Sequence, residues 1–398
     1  MAPDDRHPAP FIALARGGTT DAPRADALCA AWRDGPVLDL DTAERIWAAN
    51  ALAPDALVYL AGDAPDPSAL ARLERLRRHI RAAGVGVPLI VETHKGAKAG
   101  WLRLPDAFML PQMTPETMAG RVRETLRQSV RMEEARLRRM ALGPFPAEGP
   151  QATARTGGLM VAGMSQHAGA ALAQAGVAVD LDGVLSPHTV CTRLNSAGSH
   201  ALFIDLPLER ALDVLQRVAA DPRHVSLPVL AMATTADETD ALCAAGCGDV
   251  VLRTADPADL GIRLRVLLAA GARRRLSTNA LRRFRSIYLE EGALLPRARY
   301  DAYLARLTAT LRTRGRAPLV RTLEDLHPAP LPARAANDDP LAPVVGDPVR
   351  STILAASREE DFVARVDGHG DMIVLRDAQA AAGLMRRVGA IVASTSFV

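Results

Sequence analysis

At 398 residues the chain is too long for one ordinary domain, and 48% apolar residues supply a full core for two or three. A net charge of +3, from 48 basic and 45 acidic residues, argues against the concentrated basic face that non-specific nucleic-acid binding needs. Only 4% of residues are aromatic, so Ala and Leu carry the packing, which favours helix-rich architecture over β-sandwiches.

Residues 9–141 alternate short apolar runs with amphipathic stretches. Strands are expected at 10–15, 36–40, 56–60, 88–91 and 107–110. The clearest helix is 68–83, where Leu70, Leu73, Leu76 and Ile80 recur at helical spacing. A long final helix is expected over 114–140, opened by Pro115 and Glu116. Repeated strand–helix alternation implies a parallel sheet covered on both faces.

The Pro- and Gly-rich stretch 142–156 reads as a linker. Residues 157–275 then repeat the alternation, with strands expected at 158–162, 178–181, 201–204, 228–232 and 249–252. The last helix begins after Asp256-Pro257 and runs through Leu264, Leu267 and Leu268, and Arg273-Arg274-Arg275 read as its solvated end. Similar order and spacing make the two blocks a tandem repeat of one fold.

Residues 280–398 follow another plan. A helix at 300–311 precedes a proline-rich stretch, 328–348, then a helical segment, a hairpin over 363–375 and a helix from Ala378.

The four cysteines, Cys29, Cys191, Cys243 and Cys247, form no disulfide framework. Cys243 and Cys247 stand one helical turn apart, but no second ligand pair follows, so no metal site is expected. With no signal peptide and no apolar run of membrane-spanning length, the expectation is a cytoplasmic protein without membrane insertion.

The two blocks resemble response-regulator receiver domains, which are flavodoxin-like and doubly wound. A working receiver needs an acidic pair after its first strand to hold Mg²⁺, an acceptor Asp after the third, and Thr/Ser and Lys after the fourth and fifth. The first block ends its first strand Ala13-Leu14-Ala15-Arg16, has Leu60 or Ala61 at the acceptor position, keeps Thr93, and has Pro111 for the Lys. It is similar to a pseudo-receiver. In the second block Asp205 stands at the acceptor position and Arg253 at the Lys position, but the first strand ends Ala162-Gly163-Met164-Ser165 without the acidic pair. Two readings of Asp205 stay open: a phosphoacceptor, or a strand-end residue paired with Arg253.

The segment 300–307 looks like the first helix of a GGDEF domain, and Gly346-Asp347 fits the Gly-Asp before that family's second helix. Residues 358–375 align without gaps on the family's Arg-x-x-Asp tetrad, strand, signature turn and strand. The turn reads Asp367-Gly368-His369-Gly370-Asp371, which loses the first glycine and the metal-proximal acids. The first-strand metal acid has no clear counterpart, Glu324 and Asp325 being the nearest, and the chain stops at Phe397-Val398 where relatives add strands. The resemblance therefore implies a degenerate, truncated α+β GGDEF domain without cyclase activity. His369 reads as a surface turn histidine.

The tetrad from Arg358 to Asp361 survives, and in this family it resembles the inhibitory site for cyclic di-GMP. Arginine offers a planar fork to phosphate and stacks on guanine, while aspartate accepts from the guanine N1–H and N2–H₂ edge. A second arginine is expected, with Arg365, Arg386 and Arg387 as candidates.

The order receiver, receiver, GGDEF is that of PleD-like response regulators, and a silent GGDEF with an intact tetrad is closest to the PopA-type members. That resemblance implies a non-catalytic cyclic di-GMP effector that presents protein partners for cell-cycle control or regulated proteolysis, is recruited to a cell pole, and pairs as a homodimer. Along the 114–140 helix, Met118, Val122, Leu126 and Val130 recur every fourth residue, forming either the dimer surface or the face packed on its own sheet. Two alternatives stand beside this reading: a nucleotide-independent pseudo-receiver scaffold, and a response regulator driven by phosphorylation of Asp205.

Overall fold

The computed structural model describes residues 11–16, 22–61, 66–92, 105–111, 113–143, 158–164, 166–197, 199–224, 226–323, 325 and 348–395. The chain forms two compact units, Met1–Met132 with Ala147–Leu276, and Glu133–Pro146 with Ser277–Val398.

The first unit holds both repeats. The first runs β1 (Ile12–Arg16), α1 (Ala22–Ala31), β2 (Val37–Asp39), α2 (Leu40–Asn50), β3 (Ala56–Leu60), α3 (Pro67–Ala82), β4 (Leu89–Glu92), β5 (Ala107–Met109) and α4 (Pro115–Leu142). The second runs β6 (Leu159–Gly163), α5 (Gln166–Gln174), β7 (Leu181–Val184), α6 (Pro187–Ala197), β8 (Ala201–Asp205), α7 (Leu208–Ala220), β9 (Val229–Ala233), α8 (Ala236–Ala244), β10 (Asp249–Leu252) and α9 (Pro257–Arg285). Both sheets are parallel, and their orders, β2-β1-β3-β4-β5 and β7-β6-β8-β9-β10, place corresponding strands identically. Each is the doubly wound arrangement with helices on both faces.

Local chemistry sets the helix starts. The Asp66 carboxylate accepts from the Ser68 N–H at 2.8 Å and Pro67 opens α3, whose Leu70, Leu73, Leu76 and Ile80 are all buried. Asp39 caps α2 in the same way through the Thr42 N–H at 2.9 Å.

Two elements differ from the sequence reading. Strand β7 begins three residues later than expected, because Val177 and Val179 pack against the core from an irregular segment and pairing starts only at Leu159 opposite Leu181. Helix α9 runs 29 residues, so the arginine run lies inside it. Arg273 pairs with Asp106 at 3.3 Å and Arg274 donates to the Arg223 carbonyl at 3.0 Å. Within α9, Gly271 is a packing notch: a Cβ there would lie 2.4 Å from the His200 carbonyl oxygen.

The repeats meet along β5 and β10, the final strand of each sheet. One apolar cluster joins Met109, Met118 and Val122 of the first repeat to Leu242, Cys243 and Val250 of the second. Ile262 and Val266 of α9 pack on the cluster that contains Phe108 of β5. Arg121 and Arg263 occupy the seventh position of α4 and α9. The Arg263 guanidinium lies 5.1 Å from the Phe108 ring centroid, and the Arg121 guanidinium would be 2.8 Å from a Cβ at Gly248. The repeats are thus paired within one chain through their final strands and helices. Met118 and Val122, half of the α4 stripe, are buried inside this unit.

The second unit carries the last turns of α4 and α9, a π-helical turn (Ser286–Glu290), α10 (Arg297–Arg312), β11 (Leu319–Thr322), α11 (Pro348–Ala356), β12 (Phe362–Val366), β13 (Gly370–Leu375) and α12 (Ala378–Thr395). The sheet order is β11-β13-β12, with β13 antiparallel to both neighbours. Strands β11 and β12 therefore run parallel on either side of β13, and α11 lies within their crossover. Side chains alternate between two cores. Phe362, Ala364 and Val366 face Tyr300, Tyr303 and Leu307 of α10, while Val363, Ile373 and Leu375 face Ile353, Leu384 and Val388 of α11 and α12. Tyr303 stacks on Phe362 with ring centroids 4.2 Å apart.

A buried charge network fixes the end of α4 in this unit. Glu133 holds Arg314 at 2.9 Å and also Arg376, and Glu134 accepts from Arg138 at 2.8 Å and from the Tyr303 hydroxyl at 2.7 Å. Burial alone would raise the Glu133 pKa, but Arg314 and Arg376 outweigh it and hold it down at about 2. Among the described residues no helix is long and apolar enough to cross a membrane.

Candidate functional site

The tetrad lies between the end of α11 and the start of β12. Its turn is closed reciprocally. The Arg358 N–H donates to Asp361 Oδ2 at 2.7 Å, and the Asp361 N–H donates to the Arg358 carbonyl at 3.1 Å.

The last carbonyls of α11, unsatisfied within the helix, are taken by arginines. Arg387 of α12 donates Nε–H to the Ala356 carbonyl at 2.8 Å. Arg285 of α9 donates to the Leu354 carbonyl at 2.9 Å and to Ser357. Arg138 donates to the Glu360 carbonyl at 3.0 Å, its guanidinium lying 4.3 Å from the Phe284 ring centroid. The main chain of the tetrad is thereby pinned from three helices.

This scaffold leaves the tetrad's side chains in different states. Asp361 is nearly buried, and Arg387 Nη2 approaches its Oδ2 at 3.5 Å. Burial raises the Asp361 pKa against the opposing pull of the Arg358 N–H, Arg387 and Arg358, with Glu360 adding to the rise. Oδ1 accepts no hydrogen bond among the described residues. Arg358 is exposed, and its guanidinium has no ion-pair partner among them. A buried acceptor beside an exposed arginine fork suits a planar base with two adjacent donors and a phosphate attached.

Of the three candidate second arginines, Arg387 reaches the tetrad. Arg386, the preceding residue of α12, points about 100° away around the helix and is exposed. Arg365 lies four residues along β12 from Asp361, about 13 Å of strand. It pairs at 3.3 Å with Asp371, its partner across the hairpin, and lines a small cleft with Tyr288, Leu289, Leu323 and Leu354.

The signature turn caps the hairpin. Gly368 and Gly370 adopt φ of 73° and 76°, a region that only glycine enters freely, while Asp367 and His369 are exposed. The His369 ring sits 5.8 Å from Tyr300. Asp325 engages Thr322 in a local turn, and Glu324, Gly346 and Asp347 lie outside the described residues. No cluster of three metal-ligating side chains occurs among the described residues.

In the first unit, the crevice at the strand ends of each repeat holds an internal ion pair. Asp205 is 1% exposed and is held by Arg253 at 2.5 Å on Oδ1 and His167 Nδ1 at 2.8 Å on Oδ2. Gly163 makes room beside it, since a Cβ there would fall 2.0 Å from the Asp205 carbonyl oxygen. In the first repeat the buried Glu92 pairs with Arg24 of α1 at 2.6 Å, and Arg24 also donates to the Leu110 carbonyl. Thr93 lies outside the described residues. Sequence reading missed His167 and Arg24. Their signal was position: a basic residue at the start of a helix that follows a strand end.

No protein-family model matches the chain, and no curated protein matches it. Among solved structures, similarity is found to a GsuK channel (14% identity, 66% of this chain, 70% of that chain, TM-score 0.21). It extends to a putative branched-chain amino acid ABC transporter from Rhodospirillum rubrum (14% identity, 77% and 84%, TM-score 0.19). A D-isomer specific 2-hydroxyacid dehydrogenase family protein from Klebsiella pneumoniae 342 is similar at 16% identity (70% and 95%, TM-score 0.18). At these scores the likeness assigns neither fold nor function.

Proposed function

We propose that the chain is a non-catalytic cyclic di-GMP effector of the PleD-like response-regulator type, similar to its PopA-type members. The observation that carries the reading is the meeting of Arg387 with Asp361 beside the exposed Arg358. Guanine would present N1–H and N2–H₂ to the carboxylate, and the arginines would take the phosphate. Each charge-assisted hydrogen bond contributes about 1.5–3 kcal/mol.

In this reading the last unit is a degenerate GGDEF domain without cyclase activity. Its β-α-β unit split around the hairpin and its position-specific glycines support the assignment, and Asp367, His369 and Gly370 argue against turnover. The paired repeats are pseudo-receivers that present protein partners, for cell-cycle control or regulated proteolysis, in the cytoplasm or at a cell pole. A homodimer built by this chain needs a surface other than the buried part of the α4 stripe.

The test is calorimetric titration of cyclic di-GMP into the intact chain and Arg358→Ala. Micromolar binding lost in the variant supports the reading. No heat with the intact chain rejects it and leaves a nucleotide-independent scaffold, which the self-filled crevices of both repeats also suit.

A further inference from the structure

The tetrad Arg358-Glu359-Glu360-Asp361 carries one positive and three negative formal charges. By itself that is a repulsive surface for a dinucleotide with two phosphates, so the positive charge must come from elsewhere in the second unit. Most neighbouring arginines are committed. Arg138 and Arg285 hold main-chain carbonyls, and Arg387 divides itself between Ala356 and Asp361.

Arg282, near the end of α9, is different. Its Nε–H donates to Glu359 Oε1 at 2.8 Å, yet its side chain remains 55% exposed. A guanidinium has five N–H donors, and among the described residues Arg282 uses one. Glu359 directly follows Arg358, so the ion pair anchors a second, largely hydrated arginine fork on the tetrad itself, one residue along the chain from the exposed one. It also offsets the charge of one of the tetrad's three carboxylates.

We propose that Arg282 is a phosphate-binding residue of the tetrad site, delivered by Glu359. This rests on the cyclic di-GMP reading. A ligand held there touches α9, the helix that begins as the final helix of the second repeat, as well as the hairpin that the tetrad opens.

The experiment is titration of cyclic di-GMP at low and high salt into the intact chain and the variants Arg358→Ala, Arg282→Ala, Arg282→Lys and Glu359→Gln, with a melting curve for each. Arg282→Ala should weaken binding about tenfold, with a shallower salt dependence and an unchanged melting curve. Arg282→Lys should recover part of the loss, because it keeps charge but not the fork. Glu359→Gln keeps an acceptor for Arg282 and removes a negative charge, so it should bind at least as tightly as the intact chain. If Arg282→Ala binds like the intact chain while Arg358→Ala does not, the role of Arg282 is overturned and the effector reading stands. If Arg282→Ala and Glu359→Gln weaken binding equally, the pair merely shapes the turn and the proposal fails. If the intact chain does not bind, the effector reading fails and this inference with it.

Discussion

Arg387 sits with its Nε on the Ala356 carbonyl at 2.8 Å and its Nη2 3.5 Å from the Asp361 carboxylate, so one side chain both closes helix α11 and touches the tetrad that follows it. The two contacts separate what the neighbouring arginines do. A residue serving only the helix end would affect stability alone, whereas one that also faces Asp361 affects any ligand bound there.

Arg387→Ala is therefore expected to lower cyclic di-GMP affinity by tenfold or more, and to lower stability by about 1 kcal/mol through the lost carbonyl contact. Arg386→Ala, on the exposed side of the same helix, should change neither. Calorimetry paired with denaturant titration reads both effects. Equal affinities for the two variants would remove Arg387 from the site.

In the second repeat, phosphorylation at Asp205 has to displace Arg253 and His167 from the carboxylate without an acidic pair to bring Mg²⁺. Incubation with acetyl phosphate and Mg²⁺ should leave no phosphoryl adduct on Asp205 by peptide mass spectrometry. Asp205→Ala should lower the melting temperature of the unit, because it strips Arg253 of its buried partner and His167 of its hydrogen bond. An adduct at Asp205 would restore the phosphorylation-driven reading.

Much of this was legible in the sequence because the signals were local. The parallel strands announced themselves as apolar runs, α3 by its leucine spacing, α4 by Pro115 and Glu116 at its start, and the hairpin by two glycines in a turn. Three arginines were expected as possible companions of the tetrad, but that Arg387 is the one that reaches Asp361 depends on the phase of α12 against β12, which no local pattern carries. Arg365 alternates to the same face as Asp361 and looked equally suitable, yet strand rise separates the two and Asp371 claims it. The Arg273-Arg274-Arg275 run misled for a related reason: it reads as a solvated helix end, whereas α9 continues to Arg285 and Arg273 and Arg274 find tertiary partners in Asp106 and the Arg223 carbonyl. His167 has a positional signal at the start of α5, but its pairing with Asp205, 38 residues away, is a tertiary contact that no local pattern carries.

Acid should soften the two units in different windows. Burial first, then Arg275 and Arg274, push the His200 pKa down to about 4 from 6.5. Between those values the unfolded chain binds the proton and the folded one does not, so stability is full above about 6.5 and falls towards pH 4. Glu133, held at about 2 against 4.5, contributes above about 4.5 and loses that contribution towards pH 2. Hydrogen exchange measured from pH 7 to 3 should show loosening around His200 first and around Glu133 later. His200→Gln should remove the earlier phase and leave the later one.

Glu133 also decides whether the end of α4 is an ornament or a structural part of the second unit. Arg314 and Arg376 are 7% and 12% exposed and converge on its carboxylate. Two charges so placed are tolerable only while paired, and removing one partner of a buried pair typically costs about 3–5 kcal/mol. Glu133→Ala should reduce the unfolding free energy of the second unit by that amount in a urea titration, whereas Glu116→Ala, exposed in the first turn of the same helix, should change it by less than about 0.5 kcal/mol. A fragment starting at residue 280 lacks Glu133 and Glu134 altogether and should show no cooperative transition. If that fragment unfolds cooperatively with Phe362 and Tyr303 still packed, the network is dispensable and α4 is only a connector.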